Sequence, residues 1–252
     1  VKNIYMSVDP YMRGRMHDRK SYIPPFQLGM PLEGGCIGRV IESKNGVFQA
    51  GDQVAGILGW REYFISTGQG LMKVDPAVAP IQSFLGTIGM PGLTAYTGLL
   101  HIGKPKQGDT VFVSAASGAV GSVASQIAKL KGCYVVGSAG SDEKVSWLLN
   151  EAAIDAAFNY KKVDDVIADV GKQCPNGIDV YFDNVGGDML DLALTRLRRH
   201  ARVVICGAIS QYNNTSAVKG PSNYLSLLVN RARMEGFVVM DYAKEYPKAA
   251  ME

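Results

Sequence analysis

From residue 108 onward, short apolar runs rich in Val and Ile alternate with segments of helical periodicity. The runs "TVFVSAA", "CYVVGSA", "AAFNY", "IDVYFDNV", "ARVVICGAI" and "EGFVVM" are typical of buried strands, and "SDEKVSWLLNE" and "DMLDLALTRLRR" are typical of helices. Strands that are continuously apolar and separated by helices indicate a parallel sheet covered on both faces. This part of the chain is therefore predicted to form a doubly wound α/β domain of the Rossmann type.

The earlier part of the chain has a different pattern, rich in Gly, Pro and short apolar runs. "GCIGRVIES", "DQVAGIL" and "REYFIST" predict short strands, and "NGVFQAGDQV" predicts a turn within a hairpin. Helical periodicity begins at "MPGLTAYTGLL". With 252 residues the chain is long enough for two domains. We expect a β domain of irregular barrel type over residues 1–93 and the Rossmann domain over residues 94–252.

Composition excludes several classes of function. The net charge of +3 is too small to favour nucleic acid or an anionic membrane as a partner. No apolar run is long enough to cross a bilayer. The N-terminus "VKNIYMSVDPYMRGR" has no signal-peptide layout and no initiator Met, so we expect the chain to be a fragment that is truncated.

The cysteines and histidines stand far apart in the sequence. Cys36, Cys133, Cys174 and Cys206 form no CxxC pair, which favours reduced, buried thiols and a cytoplasmic protein. The three histidines have no metal-binding spacing either. The sequence therefore predicts no metal site.

A glycine motif lies where the first of these strands meets the following helix. Residues 116–121 read A-x-G-x-x-G, a version of the dinucleotide-binding fingerprint in the strand–turn–helix context that the motif requires. Gly118 would let a pyrophosphate approach the backbone, and Gly121 would let the helix pack closely on the strand. The helix N-terminus offers free N–H groups to the phosphates. The alternative is a tight turn with a purely structural role.

The end of the next strand indicates which dinucleotide binds. NAD-specific domains place an acid about 20 residues after the motif, but residues 137–141 read "GSAGS". These small neutral residues leave room for a 2′-phosphate, and Lys144 can supply positive charge to it. Asp142 and Glu143 are the competing interpretation, because either carboxylate could bind a ribose hydroxyl. The balance of charge favours NADP(H).

Several stretches together resemble one family. "SVDPYMRGRM", "GMPGLTAYTGLL", "AASGAVGSVASQIAKLKGC", "VVGSAGSDEK", "DVYFDNVGG" and "CGAISQYN" are similar to the zinc-independent medium-chain dehydrogenase/reductases, in the NADPH-dependent alkenal/one oxidoreductase branch that includes prostaglandin and curcumin reductases. The matches run in family order over nearly the whole chain. The resemblance implies a GroES-like substrate domain before the Rossmann domain. It also implies that several dozen residues are missing at each end.

The resemblance implies a role for each of these candidate residues. The pyrophosphate would lie on Gly118, Ala119, Val120 and Gly121, and the 2′-phosphate near Lys144 and Tyr160. Asn184 would face the cofactor from a strand end, and the nicotinamide side would be lined by Cys206, Gly207, Ala208, Ile209, Ser210, Gln211 and Tyr212. The carboxamide would meet the backbone of Phe237, Val238 and Val239. Taken singly, Tyr160 could be a packed aromatic, Asn184 a turn residue, and the two valines core strand.

The chemistry also follows from the resemblance. Zinc alcohol dehydrogenases place Cys and His where this chain has Tyr11-Met12-Arg13 and Glu33-Gly34-Gly35, so no metal would polarise a carbonyl. Reduction of a conjugated C=C bond instead needs hydride at the β-carbon and a hydrogen-bond donor for the enolate oxygen. Tyr212 and Tyr11 are the candidate donors. The ribose hydroxyl of the cofactor is a rival donor, and packing is the alternative role for each tyrosine.

The implied activity is therefore an NADPH-dependent reduction of small hydrophobic enones or enals. Two alternatives remain open: a quinone oxidoreductase of the same superfamily, and a binding protein that keeps the nucleotide site without turnover. The side chains that could line an apolar pocket, with core packing as the alternative, are Met12, Met30, Met90 and Tyr96. The resemblance also implies a homodimer through the sheet edge, with residues 236–240 in that region.

Overall fold

The computed structural model describes all residues from Val1 to Glu252, and they form two compact units. The first unit is Val1–Met90 and the second is Pro91–Glu252. That the first unit binds substrate stays a prediction. No helix in either unit is long and apolar enough to cross a membrane.

The first unit contains one antiparallel sheet of four strands. They are β1 (Lys2–Met6), β2 (Cys36–Arg39), β3 (Gln53–Gly56) and β4 (Met72–Lys73), paired in chain order. A short helix, α1 (Met12–Arg15), and a 3-10 helix (Ile81–Leu85) complete the regular structure. The strand predicted over residues 61–67 is wrong. Tyr63 makes only an isolated bridge to Lys2. Phe64 is buried and exchanges main-chain hydrogen bonds with Val1, but Ile65 is fully exposed and the pairing does not continue into a ladder.

The second unit is built on a six-stranded sheet. Its strands are β5 (Thr110–Val113), β6 (Tyr134–Ala139), β7 (Ala156–Asn159), β8 (Ile178–Asp183), β9 (Leu197–Ile205) and β10 (Arg233–Gly236). All five pairings are parallel, in the order β10-β9-β8-β5-β6-β7. The doubly wound parallel sheet that the sequence predicts is thus confirmed.

Helices cover both faces of this sheet. They are α2 (Met90–Tyr96), α3 (Ala119–Leu130), α4 (Asp142–Asn150), α5 (Val166–Gln173), α6 (Gly187–Leu194), α7 (Leu225–Asn230) and α8 (Tyr246–Met251). A π-helical segment, Thr97–Gly103, extends α2, and 3-10 helices lie at Ile209–Gln211 and Val239–Glu245.

Alternate residues of the central strands pack into two separate cores. Val111 and Val113 lie in the core beneath α3, whereas Phe112, between them, stacks on Tyr181 in the core on the opposite face. On α3 the buried Ala124 and Ala128, four residues apart on one helix face, pack into the first core. Burial on both faces explains why the strands read as continuous apolar runs rather than alternating ones.

Two predicted element ends in this unit are wrong. The helix predicted over residues 188–199 ends at Leu194, because Leu197 already pairs with Ile178 in the sheet. The strand predicted over residues 235–240 lies instead at Arg233–Gly236. Its partner β9 ends at Ile205, opposite Gly236, so there is no further ladder to extend. Sheet pairing overrides local propensity in both places.

Candidate cofactor-binding site

The strand order creates a crevice at the centre of the second sheet. β5 and β8 are neighbours, and the chain winds outward from β5 to β6 and β7 on one side and from β8 to β9 and β10 on the other. Such a reversal is the switch point at which open α/β sheets bind ligands, beyond the carboxyl ends of the strands. Ser114 follows β5 and Asn184 follows β8 at this edge.

The glycine motif forms the turn between β5 and α3. Gly118 is the N-cap of this helix of 12 residues, and no side chain caps it. The first turn of α3 carries no acid, so its unpaired N–H groups and the positive end of the helix dipole are available to an anion. The turn therefore fits the pyrophosphate of a dinucleotide.

Gly121 fits this turn for a steric reason. A Cβ there would overlap the main-chain oxygen of Ala115 and lie 2.9 Å from the Cα of Ala116, both rigid backbone atoms. Ala115 itself has a φ of 48°, a left-handed conformation that is uncommon for a residue with a side chain. The helix start is thus held against the strand end in a strained, closely packed turn, as at many ligand sites.

The predicted 2′-phosphate end lies beyond β6 and β7. A Cβ on Gly140, just after β6, would lie 3.2 Å from Oη of Tyr160 and 3.4 Å from Cε of Lys161, so these two side chains reach the end of β6. Lys144 is exposed in the first turn of α4. The structure brings Tyr160 to Gly140, as the phosphate assignment needs. A contact of Lys144 with a phosphate remains a prediction.

Of the two acids that competed with this assignment, Asp142 is already engaged, whereas Glu143 is exposed in the first turn of α4. The Asp142 carboxylate accepts a hydrogen bond of 2.7 Å from Nδ2 of Asn159 and pairs with the Lys162 ammonium. These two partners lower the pKa of Asp142, with the Asn159 hydrogen bond as the larger cause. A carboxylate held in this way is a poor partner for a ribose hydroxyl, which supports NADP(H) over NAD(H).

Asn184 joins the ends of the two central strands. Its side-chain Nδ2 donates to the main-chain oxygen of Ser114 at 2.8 Å, and its main-chain N–H donates to Oγ of Ser114 at 3.0 Å. One of the two N–H groups of this amide is therefore committed to the protein. If Asn184 also binds the cofactor, as predicted, its side-chain oxygen and its second N–H are left for that contact.

Residues 206–212 fold over the turn that follows β8. The N–H groups of Cys206 and Gly207 donate to the main-chain oxygen of Asp183 at 2.9 and 3.0 Å. Farther along, Ser210 donates to the oxygen of Val185 through both its N–H and its Oγ. Burial, together with the nearby Asp183 charge, raises the pKa of the Cys206 thiol to about 12. The predicted nicotinamide-side residues thus form one hydrogen-bonded loop.

The phenol of Tyr212 is held within its own loop. Its Oη accepts a hydrogen bond of 3.3 Å from the N–H of Ala208, and a Cβ on Gly207 would lie 3.1 Å from that oxygen. An accepted hydrogen bond leaves the phenol proton available for donation. The geometry is compatible with a positioned hydrogen-bond donor.

Phe237 and Val238 follow β10, and Val239 begins the next 3-10 helix. The Phe237 ring packs on the π-helical segment at Gly98, where a Cβ would lie 2.6 Å from the ring. The Val239 side chain is buried, and its main-chain oxygen accepts a hydrogen bond of 3.0 Å from Oη of Tyr246. The side chains therefore have packing roles, and the backbone contact with a carboxamide remains a prediction.

Tyr11, the second candidate donor, lies in the first unit at the start of α1. Burial, and then the nearby Asp9 carboxylate, raise the pKa of its phenol, which keeps the proton in place for donation. Of the four suggested pocket residues, Met12 is buried against Gly34 and Tyr96 is buried with its Oη donating 2.7 Å to Glu252. Met30 and Met90 are exposed.

Sequence reasoning missed two polar groups at the switch point. Ser114 and Asp183 are both fully buried, and the Ser114 hydroxyl lies 3.2 Å from the Asp183 carboxylate. A charged residue at the end of the apolar run "IDVYFD" was the available signal, because such residues are rarely buried without partners. No group of three or more His, Cys, Asp or Glu side chains is placed to hold a metal ion.

Two family models match separate parts of the chain. Residues 1–74 match the family described as the N-terminal domain of oxidoreductase, and residues 119–252 match the family described as zinc-binding dehydrogenase. A 2-alkenal reductase (NADP⁺-dependent) from Nicotiana tabacum is 49% identical over 250 residues, which is 98% of this chain and 73% of the relative.

Two further relatives extend the comparison. Prostaglandin reductase 1 from Mus musculus is 46% identical over 255 residues, covering 100% of this chain and 75% of the relative. The crystal structure of CurA from Vibrio vulnificus in complex with NADPH superposes with a TM-score of 0.93 at 42% identity, covering 99% of this chain and 75% of that one.

Proposed function

The chain belongs to the zinc-independent medium-chain dehydrogenase/reductases, in their NADPH-dependent alkenal/one reductase branch, and on that premise we propose that it reduces the C=C bond of small hydrophobic enones and enals. Its cofactor is NADP(H). The observation that carries the proposal is the uncapped N-terminus of α3, which meets the closely packed glycine turn at the switch point.

The Rossmann unit provides a place for each part of the cofactor. The N–H groups at the start of α3 would bind the pyrophosphate, and Lys144 and Tyr160 would bind the 2′-phosphate. The turn at Asn184 and the loop 206–212 would hold the other nucleotide. Bound NADPH would supply a hydride to the β-carbon of the substrate and become NADP⁺, and a proton taken up at the α-carbon would complete the saturated carbonyl product.

Charge that reaches the carbonyl oxygen needs a hydrogen-bond donor in a dry site. We assign this role first to Tyr212, whose oxygen is fixed by Ala208 and whose proton is free to donate. Tyr11 is the second candidate, because its raised pKa preserves the proton. The chain has Tyr11-Met12-Arg13 and Glu33-Gly34-Gly35 where the resemblance places the zinc ligands of alcohol dehydrogenases, so we propose no metal role.

Oxidation of the cofactor by three classes of acceptor tests this function. The protein is given a medium-chain vinyl ketone, a 2-alkenal or a simple quinone, each with NADPH and with NADH, and the loss of reduced-cofactor absorbance is followed. The saturated ketone of equal chain length is the matched control, since it offers a carbonyl group without a conjugated C=C bond. Product analysis distinguishes a saturated ketone from an unsaturated alcohol.

We expect turnover of the vinyl ketone and the alkenal, preference for NADPH, and saturated carbonyl products. Turnover of the quinone alone would move the chain to the quinone oxidoreductases. Binding of NADPH without turnover of any acceptor would favour a non-catalytic relative. An alcohol product from either substrate would contradict C=C reduction.

We further propose a homodimer in the cytoplasm. All four residues of the edge strand β10 are exposed, and only β9 pairs with it, so the strand offers free backbone groups to a second copy. The four free thiols support the cytoplasmic location. Light scattering coupled to size exclusion measures the dimer, and Met234→Lys on the edge should shift it towards monomer. An unchanged mass would contradict the role of this edge.

A further inference from the structure

Asp183 is the last residue of β8 and has no exposed surface. Its Oδ1 accepts four hydrogen bonds: from Oη of Tyr181 at 2.7 Å, from Oγ of Ser114 at 3.2 Å, and from the N–H groups of Val185 and Gly186, each at 2.9 Å. The other oxygen, Oδ2, is buried without a partner. Four donors on one oxygen make this carboxyl group the centre of a buried polar network.

The charge state of this network follows from its donors. Burial raises the pKa of Asp183, while the four hydrogen bonds oppose that shift by favouring the carboxylate. The titratable neighbours, Tyr181 and Cys206, both have raised pKa values and stay protonated near neutral pH. Two of the four donors are main-chain N–H groups, which can only donate, so they match an acceptor-only carboxylate.

The network fixes the backbone that follows β8. Gly186 and Gly187 have φ angles of 67° and 55°, a conformation that strongly favours glycine. The hydrogen bonds from Val185 and Gly186 to Asp183 hold the chain in that turn. Without the carboxylate, both N–H groups would be buried without partners, which is costly.

The same residue also anchors the loop after β9. The main-chain oxygen of Asp183 accepts the N–H groups of Cys206 and Gly207, and the oxygen of Asn184 accepts the N–H of Ile209 at 3.2 Å. The turn 183–187 and the loop 206–211 are therefore one hydrogen-bonded body. That body lies over β8 and β9.

A dinucleotide at a switch point places one nucleotide over each half of the sheet. The half formed by β5, β6 and β7 carries the glycine turn, Lys144 and Tyr160, none of which touches Asp183. The half formed by β8, β9 and β10 carries the turn and the loop that Asp183 organises. Apart from the Ser114 hydroxyl at the end of β5, the groups that Asp183 holds therefore lie in the half of the crevice that binds the second nucleotide.

We propose that Asp183 is a positioning residue for the nicotinamide half of the cofactor: through its side chain it fixes the turn 183–187, and with it the loop 206–211, before the cofactor binds. This proposal rests on NADP(H) binding and does not depend on enone turnover. A preformed crevice spares the cofactor the entropic cost of ordering two loops.

A comparison of two ligands tests the proposal without measuring activity. Dissociation constants are measured by calorimetry for NADPH and for adenosine 2′,5′-bisphosphate, which carries only the adenosine half. In Asp183→Ala we expect NADPH to bind about tenfold more weakly, as for the loss of one buried hydrogen-bond partner, and adenosine 2′,5′-bisphosphate to be unchanged within about twofold. Asp183→Asn keeps an acceptor oxygen and should recover most of the NADPH affinity.

Three results would overturn the proposal. They are equal weakening of both ligands, no weakening of either, and an Asp183→Asn protein as impaired as Asp183→Ala. If Asp183→Ala does not fold, Tyr181→Phe removes only one of the four donors and should show the same split between ligands at smaller size. The difference between the two ligands in loss of affinity would be measurable even if the protein reduced no enone. Failure of this proposal can therefore be distinguished from failure of the proposed reaction.

Discussion

The phenol oxygen of Tyr212 lies 3.3 Å from the main-chain nitrogen of Ala208 and accepts its hydrogen. This contact holds the side chain of a candidate donor within the loop that folds over the switch point. A phenol fixed in this way needs little reorganisation when negative charge develops nearby. Such preorganised donors stabilise a charged transition state.

Tyr212→Phe should therefore lower kcat for enone reduction by about tenfold to a hundredfold. This loss is small for the removal of a general acid or an oxyanion donor, because the ribose hydroxyl of the cofactor can share the role. The dissociation constant of NADPH should change little. Steady-state kinetics and a fluorescence titration measure the two effects. Tyr224→Phe, which removes another half-exposed phenol in the same unit, is the control. Equal kcat values for wild type and Tyr212→Phe would rule out the proposed donor.

Gly121→Ala should damage both stability and cofactor binding. The new methyl group would overlap the main-chain oxygen of Ala115, which cannot move without pulling α3 away from β5. Overpacking of this kind costs about 1–3 kcal/mol of unfolding free energy. Urea unfolding and NADPH titration provide the measurements. Gly220→Ala is the matched control, since its Cβ would meet no atom within 4 Å. Equal unfolding free energies and equal NADPH affinities for the two variants would contradict this role of Gly121.

Lys144→Met should weaken NADPH binding while leaving NADH binding nearly unchanged. Loss of a charge-assisted hydrogen bond to a phosphate corresponds to about 1.5–3 kcal/mol, or roughly tenfold or more in the dissociation constant. Asp142 is already paired with Asn159 and Lys162, so its carboxylate is less available to a ribose hydroxyl. Titrations with both cofactors measure the selectivity, and the exposed Lys219→Met serves as control. Parallel losses for NADPH and NADH would exclude the 2′-phosphate role.

The thiols should react slowly in the native protein. Burial raises the pKa of Cys133 to about 11 and that of Cys174 to about 12. Only about one Cys133 thiol in a thousand is then ionised at pH 8, and the thiolate is the reactive form. Alkylation followed by peptide mass spectrometry should show rates that rise about tenfold for each pH unit up to the pKa. Fast labelling of either residue at pH 8, with the protein still folded, would contradict the burial.

Local sequence patterns predicted most of the Rossmann unit correctly. The apolar runs before Ser114 and Asp183 each became a central strand, and the glycines of residues 116–121 became a strand–helix turn, because these signals are contained within one segment. The pattern was less informative at residues 61–67, where the β-prone residues make only an isolated bridge to β1 and form no ladder.

The buried network at the switch point could not be predicted in the same way. Ser114 and Asp183 are 69 residues apart, and they meet only because β8 is inserted beside β5 rather than beside β7. No local pattern states which strand will be the neighbour. The hydrogen bond between Ala208 and Tyr212 could not be predicted for a different reason, because it depends on the φ and ψ angles of an irregular loop.

Because β8 pairs with β5 but follows it late in the sequence, one edge of β5 lacks its partner strand during part of synthesis. A ribosome adds about 5–20 residues each second, so the 69 residues from Ser114 to Asp183 take roughly three to fourteen seconds. During that interval β5 can pair with β6, but its other edge has no partner. The nascent chain therefore exposes one edge of its central strand β5 until β8 has been synthesised. During this period a chaperone that covers the edge would prevent most aggregation.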